Sequence, residues 1–178
     1  MKLSEGVRLL QRARQAASQY EDDPNWSVDQ KDHWGGDGSG CLIVLDRPKR
    51  RRILLLKRSS YITEPNTWGI PGGARPINAA SNRPMPSWTS AVKETREELG
   101  GLPPGFRHYA KKVTYRDPKF KFDNYVVPVP PIAREWRPKL DWESVAWGWF
   151  SRKETKRLPL HFGIKWLLRQ FDPFTAKL

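Results

Sequence analysis

Three carboxylates, Glu94, Glu97 and Glu98, stand at spacings of three and four residues, which puts them on one side of a helix within an arc of about one hundred degrees. Like charges this close repel and weaken a helix unless solvent, Lys93 and Arg96, or a bound cation compensates them. A divalent ion is the sharpest of those answers. Oxygen ligands so arranged suit Mg2+ or Mn2+, which can bridge phosphate oxygens and activate water. The plainer reading is a solvated charged face, and for the helix taken alone it is the commoner one. The loop upstream shifts that balance. Gly72 and Gly73 let backbone approach closely, Pro71 restricts the chain just before them, and the Gly72 carbonyl can join the carboxylates around a cation.

The elements that must position these groups are legible on either side. The acidic helix is expected to start near Thr89, capped by that residue, to bury Ala91, Val92, Thr95 and Leu99, and to end at Gly100 and Gly101. Apolar runs at 41–45 and 53–56, joined by a turn containing Asp46, Pro48 and Lys49, read as strands, as do 113–115, 125–129 and 146–150, which implies a mixed sheet. Residues 67–86, rich in Gly and Pro, read as a long loop. After Pro159, Phe162, Ile164, Trp166, Leu167, Leu168 and Phe171 around Lys165 and Arg169 predict a last helix, followed by a frayed tail past Pro173. Leu3, Val7, Leu10, Ala13 and Ala17 predict an amphipathic N-terminal helix up to about Tyr20, then a Gly-rich linker. The expected division is 1–37, helix and linker, and 38–178, the principal domain with its C-terminal helix.

With the glycine turn and the acidic helix together, the chain resembles the Nudix hydrolases. Their signature runs Gly, five residues, Glu, seven residues, then Arg-Glu-hydrophobic-x-Glu-Glu-x-Gly-hydrophobic. Gly73 matches its opening, Glu94, Glu97, Glu98 and Gly100 match its close, and Trp68-Gly69-Ile70-Pro71-Gly72 resembles the approach to it. Nineteen residues separate Gly73 from Lys93, so the loop is six longer than the family pattern; Ala79 replaces its first glutamate, Lys93 its arginine, Thr95 an aliphatic residue and Gly101 the last hydrophobic one. The resemblance implies an α/β/α sandwich around a mixed sheet and hydrolysis of a phosphoanhydride with Mg2+ or Mn2+. It also implies metal ligands at Glu97 and Glu98, with Glu94 as a further ligand or helper and Gly72 through its carbonyl. Lys93 takes the supporting place of the family arginine, although lysine cannot reproduce its bidentate geometry. Glu94 and Glu143 are both candidates to take the proton of the attacking water, the second if the Asp141-Trp142-Glu143 loop reaches the metal edge.

Charge bears on the substrate. Thirty-two Lys and Arg against nineteen Asp and Glu give +13, an excess that suits an anionic partner. Lys57 and Arg58, just after a strand and before the glycine loop, can neutralise substrate phosphates, although salt-laced surface packing is the commoner role for Arg58, and Arg47 to Arg52 read as hairpin surface. Lys111, Lys112, Arg116, Lys119 and Lys121, interleaved with Tyr109, Tyr115, Phe120, Phe122 and Tyr125, suit a nucleotide or a single-stranded end, with most of those rings assigned to the core. A nucleoside diphosphate derivative or nucleoside triphosphate is therefore the expected substrate. Hydrolysis at RNA 5′ ends and a nonenzymatic nucleotide- or RNA-binding module are the alternatives, with a protein-interaction subunit a weaker third. His33, His108 and His161 have no metal-ligand spacing. Cys41, the only cysteine, reads as a small core residue; it excludes an internal disulfide and suits the cytoplasm or another reducing intracellular compartment. No apolar run approaches the roughly 20 residues of a membrane span. The N-terminal helix is expected either to cover the core or to build a homodimer.

Overall fold

In the strand Asp37–Leu45 (β2) every residue from Cys41 to Leu45 is buried, and in Arg52–Arg58 (β3) so is every residue from Ile53 to Leu56. Unbroken burial requires cover on both faces. Cys41, Ile43, Leu45, Leu54 and Leu56 pack on one side against Ala91 and Leu99 of the helix Ser87–Leu99 (α1). Leu42, Val44, Ile53 and Leu55 pack on the other, against Ile164 and Leu167 of the helix Phe162–Gln170. The result is an α/β/α sandwich, seen here in a computed structural model that describes residues 26–27, 36–47, 49–78 and 80–178. The expected N-terminal helix and Ala79 lie outside the described residues.

Three further strands, Lys111–Arg116 (β8), Lys121–Val129 (β9) and Ser144–Phe150 (β10), complete a main sheet in the order β10-β3-β2-β9-β8. The β2–β9 pair is parallel and the others are antiparallel, so the sheet is mixed. A short helix Arg152–Thr155 (α2) precedes Phe162–Gln170 (α3).

The sheet splits where the site lies. β2 and β3 pair only at Val44↔Ile53 and Leu45↔Arg52, next to their connecting turn. Beyond that they part, and short strands from the loop fill the gap: Trp68–Gly69 (β4) pairs with β3, and Gly72–Ala74 (β5) pairs with β2. The stretch read as a single loop is thus partly strand. Its extra length forms a hairpin, Ile77–Asn78 (β6) against Arg83–Pro84 (β7), whose tip is tied by the Asn78 side chain accepting the Ala80 and Ser81 N–H groups. Trp26–Ser27 (β1) adds to β6, so part of the presumed linker pairs with this insertion.

Two expectations need correction. α1 begins at Ser87 behind Pro86, with no side-chain cap, so Thr89 lies inside it; the Ser87 hydroxyl donates to Asp123 instead, at 2.7 Å. The C-terminal tail is docked rather than frayed. Arg51 donates to the carbonyls of Pro173 and Ala176, Arg152 pairs with Asp172, and Phe174 and Leu178 join the α3-side core. The end of α1 is as expected, with Gly100 at φ 64° turning its N–H back to the Arg96 and Glu97 carbonyls.

Candidate active site

The split sheet carries the glycine turn under α1. Gly72 has φ 153°, and a Cβ there would stand 2.5 Å from the Ser39 carbonyl oxygen, so only glycine fits this pairing with β2. Its N–H donates to Glu98 Oε1 at 2.6 Å. Glu94 lies against the next residue, so closely that a Cβ on Gly73 would come 2.6 Å from Glu94 Oε2. Glu94 and Glu98 therefore reach the turn from adjacent rungs of one helix face, while Glu97 is held by Lys93 Nζ at 2.7 Å, with Glu94 Oε1 3.9 Å from the same ammonium.

The segment leading into β10 closes the other side. The Asp141 N–H donates to the Glu98 carbonyl at 3.3 Å, Asp141 Oδ1 accepts the Glu143 N–H at 3.0 Å, and the Glu143 carbonyl accepts the Ser59 N–H at 2.7 Å. The loop is thus strung between the end of α1 and the end of β3. Asp141 and Glu143 arrive beside the helical carboxylates, as the Glu143 candidacy required.

Crowding of buried acids dominates the electrostatics. Burial first, then Glu97 and Glu143 against the opposing Lys93, pushes Glu94 up to about 7. Burial, reinforced by Glu143, Asp141 and Glu94 and opposed by the Gly72 N–H, holds Glu98 well above the usual carboxylate range. Asp141 is pushed up to about 7 by burial and by Glu143. Glu143 is raised by burial and Glu97, with Arg58 opposing. Among the described residues no three such side chains are preassembled as metal ligands. The donor chemistry nevertheless fits a hard divalent cation: carboxylate oxygens are concentrated where burial and mutual repulsion leave negative charge undercompensated.

Arg58 connects this acidic patch to a cavity of about 260 Å³ that it lines together with Gly72. Burial lowers its guanidinium pKa, opposed by Glu143, Glu98 and Glu64, and the side chain donates to the Thr63 carbonyl at 2.7 Å and hydroxyl at 3.1 Å. Tyr115, Phe120, Phe122 and Phe162 supply the aromatic wall, with Asn124 and His161 as polar groups. Phe122 and Asn124 point here because they alternate along β9 with Asp123 and Tyr125, which face α1. Tyr109 and Tyr125 pack on Trp88, as expected of core rings. The aromatics of the basic segment therefore divide three to the cavity and two to the core, which reverses the expected majority in the core.

Of the sequence-derived candidates, Glu94, Glu98, Glu143, Gly72 and Arg58 come together; Glu97 and Lys93 pair with each other at the margin. Asp141 was not singled out, and its only signal is its position two residues before Glu143. His161 lines the cavity, with Nε2 3.5 Å from Glu64 Oε1. Cys41 is fully buried, its thiol pushed up to about 12 by burial, which suits a core residue. No helix among the described residues is long and apolar enough to cross a membrane.

Comparison with known proteins bears on this arrangement. The model of the NUDIX domain matches residues 37–171. A Mycobacterium tuberculosis protein named "Putative 8-oxo-dGTP diphosphatase 3" is 27% identical over 155 residues, covering 82% of this chain and 67% of that protein. Among solved structures, the Nudix hydrolase RenU from M. smegmatis superposes with a TM-score of 0.59 at 22% identity, over 80% of this chain and 88% of that one. A C. elegans Ap4A hydrolase complex gives a TM-score of 0.56 at 19% identity, over 78% and 96%. At these identities the structural likeness carries the fold.

Proposed function

Given that this chain belongs to the NUDIX domain family, whose hydrolases cleave phosphoanhydride bonds, we propose that it is a Mg2+- or Mn2+-dependent pyrophosphohydrolase of a nucleoside triphosphate or another nucleoside diphosphate derivative. The observation that carries this reading is the convergence of Glu94, Glu98, Asp141 and Glu143 on one glycine turn, beside an arginine-edged aromatic cavity. Glu98 and Glu94, with Glu97 and the Gly72 carbonyl, would hold the cation. When bound, such an ion neutralises diphosphate charge and polarises the phosphorus toward attack.

The protein's own groups do the rest. Tyr115, Phe122 and Phe162 receive the organic end of the substrate, which directs its phosphates past Arg58 toward the glycine turn. Water attacks phosphorus, the bridging P–O bond breaks, and the water proton passes to a carboxylate oxygen of Glu143 or Glu94; burial raises both, Glu94 to about 7. The name of the mycobacterial relative favours a nucleoside triphosphate.

The test is turnover by the full chain of a mixed nucleotide panel with Mg2+ or Mn2+, with products read by mass. A cleaved diphosphate is expected, and Glu97→Gln and Glu98→Gln should each lower the rate by at least about ten- to a hundredfold. Nucleotide binding without metal-dependent turnover would reject hydrolysis and leave the nonenzymatic module. Comparing Glu94→Gln with Glu143→Gln identifies the base, as the variant whose acidic pH–rate limb disappears.

A further inference from the structure

At the other end of the sheet, the β2–β3 turn, the 3-10 turn Pro131–Glu135 and α2 enclose a basic cleft of about 640 Å³. We propose that this cleft is a second anion site that takes the phosphodiester backbone of a nucleic-acid strand. It shares no lining residue with the aromatic cavity, and the length of β3 separates it from Arg58 by about 20 Å. The proposal does not depend on the hydrolytic reading.

Arg51, Arg52 and Arg152 are ion-paired to Asp46, Glu154 and Asp172. Arg51 and Arg52 also donate to carbonyls of the C-terminal segment and of Trp149, so they build the wall. Arg47, Lys49, Arg50, Arg134 and Lys153 also line the cleft, and no ion pair with a described acidic residue offsets them. They come from three separate segments, so their convergence is made by the fold and not by one charged run. Five such cations facing one concavity repel one another, and a chain of phosphates relieves that while releasing its own counterions.

The wall also indicates which part of the ligand it reads. Among the described residues Phe174 is the only aromatic ring lining the cleft, and the Arg152 guanidinium already covers it at 5.5 Å. No free ring is offered to a base, so recognition is of backbone charge and independent of sequence. A lipid surface is the poorer match: the charges line a concavity, and among the described residues Ile132 is the one large apolar side chain exposed nearby.

Fluorescence anisotropy with a single-stranded 20-mer bearing a 5′-hydroxyl, in EDTA, reads this cleft without engaging the proposed hydrolytic site. The combined variant Arg47→Ala, Arg50→Ala, Arg134→Ala should weaken binding by about tenfold or more. It should also flatten the log affinity against log salt slope by about 2, three phosphate contacts at roughly 0.7 each. A control removing the same charge elsewhere, Arg83→Ala, Arg107→Ala, Lys139→Ala, should change affinity less than about threefold, and nucleotide turnover should be unaltered in the cleft variant. Equal weakening in both variants, no binding by the unmodified chain, or tighter cleft-dependent binding to phosphatidylserine vesicles than to the oligonucleotide would each overturn the proposal.

Discussion

The two ends of the sheet solve opposite electrostatic problems. At the glycine turn, four acids are gathered where water is largely excluded; at the β2–β3 turn, cations are gathered in the open. Charge of one sign is costly in both places, but by different mechanisms. In the interior the protein responds by changing protonation, which is why Glu94 and Asp141 are pushed up to about 7. At the surface the charge persists and salt screens it. The acidic end should therefore answer to pH and divalent cations, and the basic end to ionic strength.

The largest expected effect separates charge from shape at the acidic end. Glu98→Gln keeps the side-chain volume and removes one member of the crowd, so turnover should fall by a hundredfold or so while metal-free thermal stability at pH 8 holds or rises. A Tm that drops with the activity would mean that Glu98 is compensated in the fold, and the contrast between the ends would fail.

Next is the pH dependence of the metal-free protein. With folded pKa values near 7 for Glu94 and Asp141, against ordinary values of 4.5 and 3.8, the folded state binds protons that the unfolded chain has released. The contribution of these two groups is complete below their unfolded values and is lost as pH rises through 7. Melts in EDTA should show Tm declining from pH 5 to 8, with Mg2+ or Mn2+ restoring it at pH 8 and added NaCl not doing so. A Tm that climbs over the same interval would contradict the sign.

A smaller effect belongs to the cavity beside the acidic end. Phe122→Ala should raise KM for a nucleotide by roughly five- to a hundredfold, the range of one lost stacking contact, with kcat nearly kept. Loss of kcat alone would move this ring from substrate binding to support of the turn. Smallest is Arg47→Ala, an exposed change expected to alter stability by less than about 0.5 kcal/mol in chemical denaturation.

What could be read from the chain divides along local and long-range physics. The acidic face, the two-sided strands at 41–45 and 53–56 and the stop at Gly100 follow from spacing and backbone preference within a few residues. The start of α1 did not, because the Ser87 hydroxyl that could have capped it is drawn to Asp123, 36 residues away. Asp141 has no signal beyond its place beside Glu143 for a similar reason: one backbone hydrogen bond to the Glu98 carbonyl brings it in. The parting of β2 from β3 arises where loop strands compete for the same edges, and neither strand announces it. The docked tail depends on Arg51, which in sequence looks like one more hairpin cation.

Mn2+ binding followed by electron paramagnetic resonance, on the unmodified chain and on Glu98→Gln, tests the gathering of carboxylates most directly. Saturable binding by the unmodified protein is expected, weakened at least about tenfold by that one substitution. Equal Mn2+ affinity in the two proteins would place the cation elsewhere and leave the glycine turn without its proposed role.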